Sequence, residues 1–104
     1  MEEREERARQ RFPNASDVWE ARKRIAPYIR RTPLVFSHRL SEISGAEVYL
    51  KLENLQEVGA FKIRGAANRV LSLSEEERRR GVTTYSTGNH AQAVACISGR
   101  LGVR

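Results

Sequence analysis

Two β-patterned runs, each followed by a short loop and a helical period, restrict the fold of this chain more than any other feature. In residues 47–52, EVYLKL, Val48, Leu50 and Leu52 alternate with Glu47, Tyr49 and Lys51, the period of a half-buried strand. The loop ENLQEVG then leads into a helix expected over about 61–73, with Ile63, Ala67, Val70 and Leu71 on one face. Gly81 turns the chain into VTTY, whose β-branched residues predict a second strand. STGN connects it to a helix expected over about 90–101. Ala91, Val94, Ala95, Ile97 and Leu101 make that helix apolar around most of its circumference, so it needs cover on more than one side. This order of elements implies an α/β fold with parallel pairing.

The upstream third has weaker signals. Asn14 caps a helix with Asp17 three residues on, and Val18, Ala21, Ile25 and Tyr28 or Ile29 recur at helical spacing. Pro27 breaks or kinks that helix, and RRTPL makes a short extended piece. Ser37 caps a brief helix that Gly45 ends, and Gly102 stops the last one. The final VR reads as the start of another strand. Residues 1–13 are expected to form a charged, flexible segment, and 14–104 a folded unit that stops in mid-fold.

Composition removes several function classes. With 104 residues the chain holds at most one small core. No run approaches the ~20 apolar residues of a membrane span, and MEEREERARQR is too charged for a secretory signal, which implies a soluble, cytoplasmic protein with no membrane partner. The lone Cys96 excludes a disulfide framework, and with two histidines it makes no zinc set; it reads as an ordinary helix thiol, and no metal is expected. The formal charge of +6 comes from 19 Lys and Arg against 13 Asp and Glu. Those charges are interleaved: Glu3 with Arg7, Glu5 with Arg9, and the run SEEERRRG. No aromatic residues alternate with the arginines, so no nucleic-acid partner is expected.

In open α/β sheets ligands sit beyond the carboxyl ends of strands, where loops enter helices. Both loops here carry reactive groups. Lys62 stands between Phe61 and Ile63 at a helix start, where the helix dipole and apolar neighbours favour the neutral amine, the better nucleophile and base. STGNH offers the hydroxyls of Ser86 and Thr87, the unhindered Gly88 amide, and the side chains of Asn89 and His90, a receptor for a carboxylate or phosphate. The same residues equally suit a surface lysine, a helix cap at Asn89 and a partly buried structural histidine.

The strings KLENLQEVGAFKIRGA and STGNHAQAVA, with RTPL upstream, closely resemble the fold type II pyridoxal-phosphate enzymes, whose sheet is three-layered and tryptophan synthase beta-like. Within that family they are most similar to the serine/threonine dehydratases (ammonia-lyases), serine racemases and hydroxyectoine-utilisation dehydratases. The resemblance runs over about 17–102 and rests on two ordered motifs. It implies that Lys62 forms the Schiff base with pyridoxal 5'-phosphate and then acts as the base at Cα. It further implies that Phe61 packs on the pyridine ring, that Asn89 bonds the cofactor's 3' oxygen, and that Ser86, Thr87, Gly88, Asn89 and His90 surround the substrate carboxylate. The implied reaction turns a β-hydroxy amino acid of the L-threonine or L-serine type into a 2-keto acid and ammonia, in an enzyme that is a homodimer or larger.

Two positions depart from the family pattern. Ala60 stands where many members have Ser. Thr87 stands where many dehydratases have Ala and serine racemases have a catalytic Ser, so dehydration is expected over racemisation. The family's glycine-rich phosphate loop has no counterpart among the seven scattered glycines, and its partner for the pyridine nitrogen is not expected within this chain either. The resemblance therefore implies that 14–104 is the N-terminal portion of the catalytic domain of a longer enzyme, incomplete at its C-terminus and inactive alone. A non-catalytic partner-binding fragment, a serine racemase and a β-replacement enzyme are the alternatives.

Overall fold

The first helix, α1, spans Ala15–Ile25 and begins in a reciprocal cap. Asp17 N–H donates to Asn14 Oδ1 at 3.0 Å, and Asn14 N–H donates to Asp17 Oδ2 at 2.9 Å. The computed structural model describes residues 12–104, so most of the charged segment expected over 1–13, with its Glu3–Arg7 and Glu5–Arg9 spacings, lies outside the described residues. Pro27 cannot donate to a helix ladder, and α1 tightens into a 3-10 turn over Ala26–Tyr28.

Strand β1, Leu34–Phe36, pairs antiparallel with β2, Tyr49–Lys51, in the register Leu34 to Lys51, Val35 to Leu50 and Phe36 to Tyr49. Helix α2, His38–Ser44, fills the connection. Ser37 Oγ accepts Leu40 N–H at 3.3 Å, and Gly45 ends the helix at φ +70°, as its sequence position predicts. Phe36 and Tyr49 meet edge to face with centroids 5.3 Å apart.

Helix α3, Lys62–Leu71, and helix α5, Asn89–Leu101, pack on each other and form the core, with α1 against α3. Ile63, Ala66, Ala67 and Val70 from α3 meet Ala93 and Ile97 from α5, and Ile25 and Val103 close the cluster. The small Ala66, Ala67 and Ala93 let the helices approach, while Ile63 and Ile97 fill the volume between them. Helix α4, Glu75–Arg80, lies between them in sequence.

Three expectations are corrected. The only ladder among the described residues is antiparallel, because the two paired segments flank α2 and run back along each other. VTTY is extended yet forms no strand. Val82 N–H donates to Arg104 O at 2.6 Å, but 82–85 has no neighbouring strand among the described residues, and β-branched composition cannot replace a partner. Finally, α5 is buried on one side only: Ala93, Ile97 and Ser98 are inside, whereas Ala91, Val94 and Leu101 are half-buried and Ala95 is exposed.

Gly81 is fixed by space as well as conformation. It sits at φ +87°, and a Cβ there would lie 2.6 Å from the Arg104 carbonyl oxygen, so no other residue fits this turn unchanged. No helix among the described residues is long and apolar enough to cross a membrane.

Candidate functional site

The N-termini of α3 and α5 open on one cleft of about 640 Å³. Phe61, Lys62, Arg64, Arg69 and Val70 line it from the α3 side, and His90 and Val94 from α5; the extended residues 81–84 and Glu77 complete it. Of the residues singled out by sequence, Phe61, Lys62 and His90 therefore line a common space. Ser86, Thr87, Gly88 and Asn89 form the turn into α5 and stand outside the lining.

Lys62 is the first residue of α3 and its side chain is exposed. The chain has three lysines, Lys23, Lys51 and Lys62. Lys23 pairs with Glu20 at 3.0 Å, and Lys51 Nζ donates to Thr32 O. Lys62 Nζ has neither hydrogen bond nor ion pair among the described residues and lies 5.5 Å from the Phe61 ring centroid. The expected desolvation by its neighbours is absent, for a geometric reason. Adjacent residues on a helix point to different faces, so Ile63 turns into the core while Phe61, 60% exposed, stays at the rim.

The α5 entrance also differs from the simplest reading. Gly88, not Asn89, is the N-cap residue, with no side-chain cap bond, and Asn89 begins the helix with its side chain exposed. Gly88 N–H donates to Ser86 Oγ at 3.2 Å, which folds the turn onto itself. The first-turn N–H groups of α5 are thereby left pointing out of the helix end, the arrangement that receives an anionic group.

A polar network that no spacing rule brings together supports the Lys62 loop. The Glu53 carboxylate accepts Arg64 Nε and Nη2, the latter at 3.2 Å, Thr32 Oγ1 at 2.6 Å and Gln56 Nε2 at 3.1 Å. Gln56, 4% exposed, also accepts Arg30 N–H at 3.2 Å and donates to Arg30 O at 2.9 Å. Arg100 Nη1 reaches Tyr28 O at 2.9 Å and Glu57 at 3.3 Å, tying the far end of α5 to the same loop. Sequence reasoning missed this network although Thr32, Glu53, Gln56 and Arg64 lie in RTPL, ENLQ and KIRG.

The Arg64 fork, aided by Thr32 and Gln56 and opposed by burial, lowers the Glu53 carboxyl from its ordinary 4.5 to about 2. Because the folded value is the depressed one, its stabilisation is complete above pH 4.5 and is lost as pH falls towards 2. Unfolding free energy measured by urea titration is expected to drop across that window by on the order of 1–3 kcal/mol from this group. Glu53→Gln is expected to remove that part of the slope. A slope unchanged in Glu53→Gln would contradict the assignment.

Residues 25–104 match the pyridoxal-phosphate dependent enzyme family. The chain is similar to the L-threonine ammonia-lyase of Thermotoga maritima, 52% identical over 87 residues that make up 84% of this chain and 22% of that protein. It is also similar to the L-threo-3-hydroxyaspartate ammonia-lyase of Saccharomyces cerevisiae, 48% identical over 88% of this chain and 28% of that protein. Among solved structures, the serine racemase of Dictyostelium discoideum superposes with a TM-score of 0.82 at 47% identity, over 86% of this chain and 29% of that one. The chain thus spans about a quarter of the length of the curated relatives it matches, and its fold is that of part of a fold type II enzyme.

Proposed function

We infer, because this chain belongs to the pyridoxal-phosphate dependent enzyme family, that it is the lysine-bearing part of an amino-acid ammonia-lyase. The proposed reaction takes a β-hydroxy amino acid of the L-threonine or L-serine type to a 2-keto acid and ammonia. The observation that carries this reading is Lys62. It is an unpaired amine at the mouth of a cleft, beside an exposed aromatic ring, in a chain whose other lysines are engaged.

These residues fit a pyridoxal group: an amine free to bond its aldehyde and a flat apolar face at Phe61, with the amide of Asn89 beside His90 at the start of α5. When bound, the cofactor supplies the electron sink for the bond broken at Cα. Lys62 Nζ would hold the cofactor aldehyde and would serve as the base for the Cα proton. Phe61 would flank the ring, and Asn89 would hydrogen-bond the 3' oxygen. Ser86, Thr87, Gly88, Asn89 and His90 hold the substrate carboxylate against the N-terminus of α5. A cytoplasmic homodimer or larger assembly belongs to the same reading.

Racemisation is the second reading, favoured by the Thr87 hydroxyl at the α5 turn and by the likeness to a serine racemase. Assay of the native-length protein on L-threonine, L-serine and 3-hydroxyaspartate separates the two. Keto-acid release is expected to exceed racemisation, and D-serine formed from L-serine faster than pyruvate would overturn that order.

A further inference from the structure

We propose that Glu53 is the positioning residue for Lys62, clasping Arg64 so that the lysine is presented at a fixed place on the cleft rim. The inference rests on the reading of Lys62 as the cofactor-bearing amine. Helix α3 starts without a side-chain cap: Phe61 precedes it in helical conformation and makes no capping bond. The loop before it has little apolar anchorage, since Asn54, Leu55, Glu57 and Gly59 are exposed and Val58 is only half-buried. Ile63 anchors the first turn of α3 in the core, and the polar tie is Arg64, two residues after Lys62, whose guanidinium forks onto the Glu53 carboxylate.

That ion pair closes the segment 53–64 into a loop with Lys62 near its end. Glu53 is itself held by buried Thr32 and Gln56, so the clasp is referred to the β1 side of the molecule rather than to solvent. The side chains of Glu53 and Arg64 are 16% and 37% exposed. Two charges are thus partly withdrawn from water although the core lies elsewhere, and a charge-assisted fork with this many partners fixes direction as well as energy. Lys62 lies two residues before Arg64 and inherits its placement through about half a turn of backbone.

The test treats the full chain with pyridoxal phosphate, reduces it with borohydride, and measures by peptide mapping how the label divides among Lys23, Lys51 and Lys62. In the native protein Lys62 is expected to take most of the label. In Glu53→Gln its share is expected to fall about tenfold or more, the scale of a misplaced reacting group, while Lys23 and Lys51 label as before. A merely structural role would lower the denaturation midpoint and leave the division unchanged in the folded state; that result overturns the proposal and leaves the reading of Lys62 standing. Equal labelling of all three lysines in the native protein overturns both. If Glu53→Gln loses its helical circular dichroism, Arg64→Lys replaces it, keeping the charge and losing the fork. An undiminished Lys62 share there overturns the proposal, and Glu53→Asp is expected to restore part of the share.

Discussion

Lys62→Ala is expected to abolish turnover by the native-length enzyme, lowering kcat by on the order of 10³-fold or more, as loss of a covalent group does elsewhere. The effect is expected to be chemical, with no loss of fold. The side chain is exposed, makes no hydrogen bond or ion pair among the described residues and touches only the exposed Phe61 ring, and alanine is the best helix former, so α3 keeps its start. Far-UV circular dichroism is expected to be unchanged, and the unfolding free energy from urea titration to stay within about 0.5 kcal/mol of native. Lys62→Arg is expected to be equally inactive, because a guanidinium keeps the charge but does not supply a neutral amine. A Lys62→Ala enzyme retaining activity within about tenfold of native would remove this residue from the chemistry.

Ile97→Ala is expected to cost about 2–5 kcal/mol of unfolding free energy. Ile97 and Ile63 are the largest fully buried side chains, and around them the α3 and α5 contact is built from alanines. Alanine methyls cannot swing into the space that a lost isoleucine leaves, so the cavity stays open. Against a total stability of about 5–15 kcal/mol for an ordinary domain, that is a large share. Urea titration followed by circular dichroism reads it. A loss below about 1 kcal/mol would mean that the two helices do not depend on this contact. The same packing sets the distance between Lys62 and His90, each at the start of one helix, so the variant is also expected to disturb the cleft.

Local signals were legible where the physics is local. The Asn14 and Asp17 reciprocal cap, Ser37 and Gly45 around α2, and the apolar stripes of α3 and α5 were all readable because each depends on residues a turn or less apart. Helix α4 escaped notice because EEERRR has no apolar face to give a period. Its signal was instead the cap, with Glu77 N–H donating to Ser74 Oγ at 3.1 Å and Ser74 N–H to Glu77 at 2.7 Å.

Non-local features were not legible. The 82–85 segment has strand composition, but pairing is decided by what lies alongside. Thr32 meets Glu53 across 21 positions, and Arg100 reaches Tyr28 across 72, separations at which sequence carries no geometric rule. The exposure of Lys62 followed from the helix rotating Ile63 inward, a consequence of packing that its two apolar neighbours did not reveal. The two helix starts that border the cleft were readable, and the contacts that support them were not.

The central claim, that Lys62 carries the cofactor, is tested most directly by reducing the protein as purified from its native cells with borohydride and mapping the phosphopyridoxyl group. The account predicts a single modified peptide, the one containing Lys62, with Lys23 and Lys51 unmodified. The group on Lys51 or Lys23, with Lys62 unmodified, would contradict it.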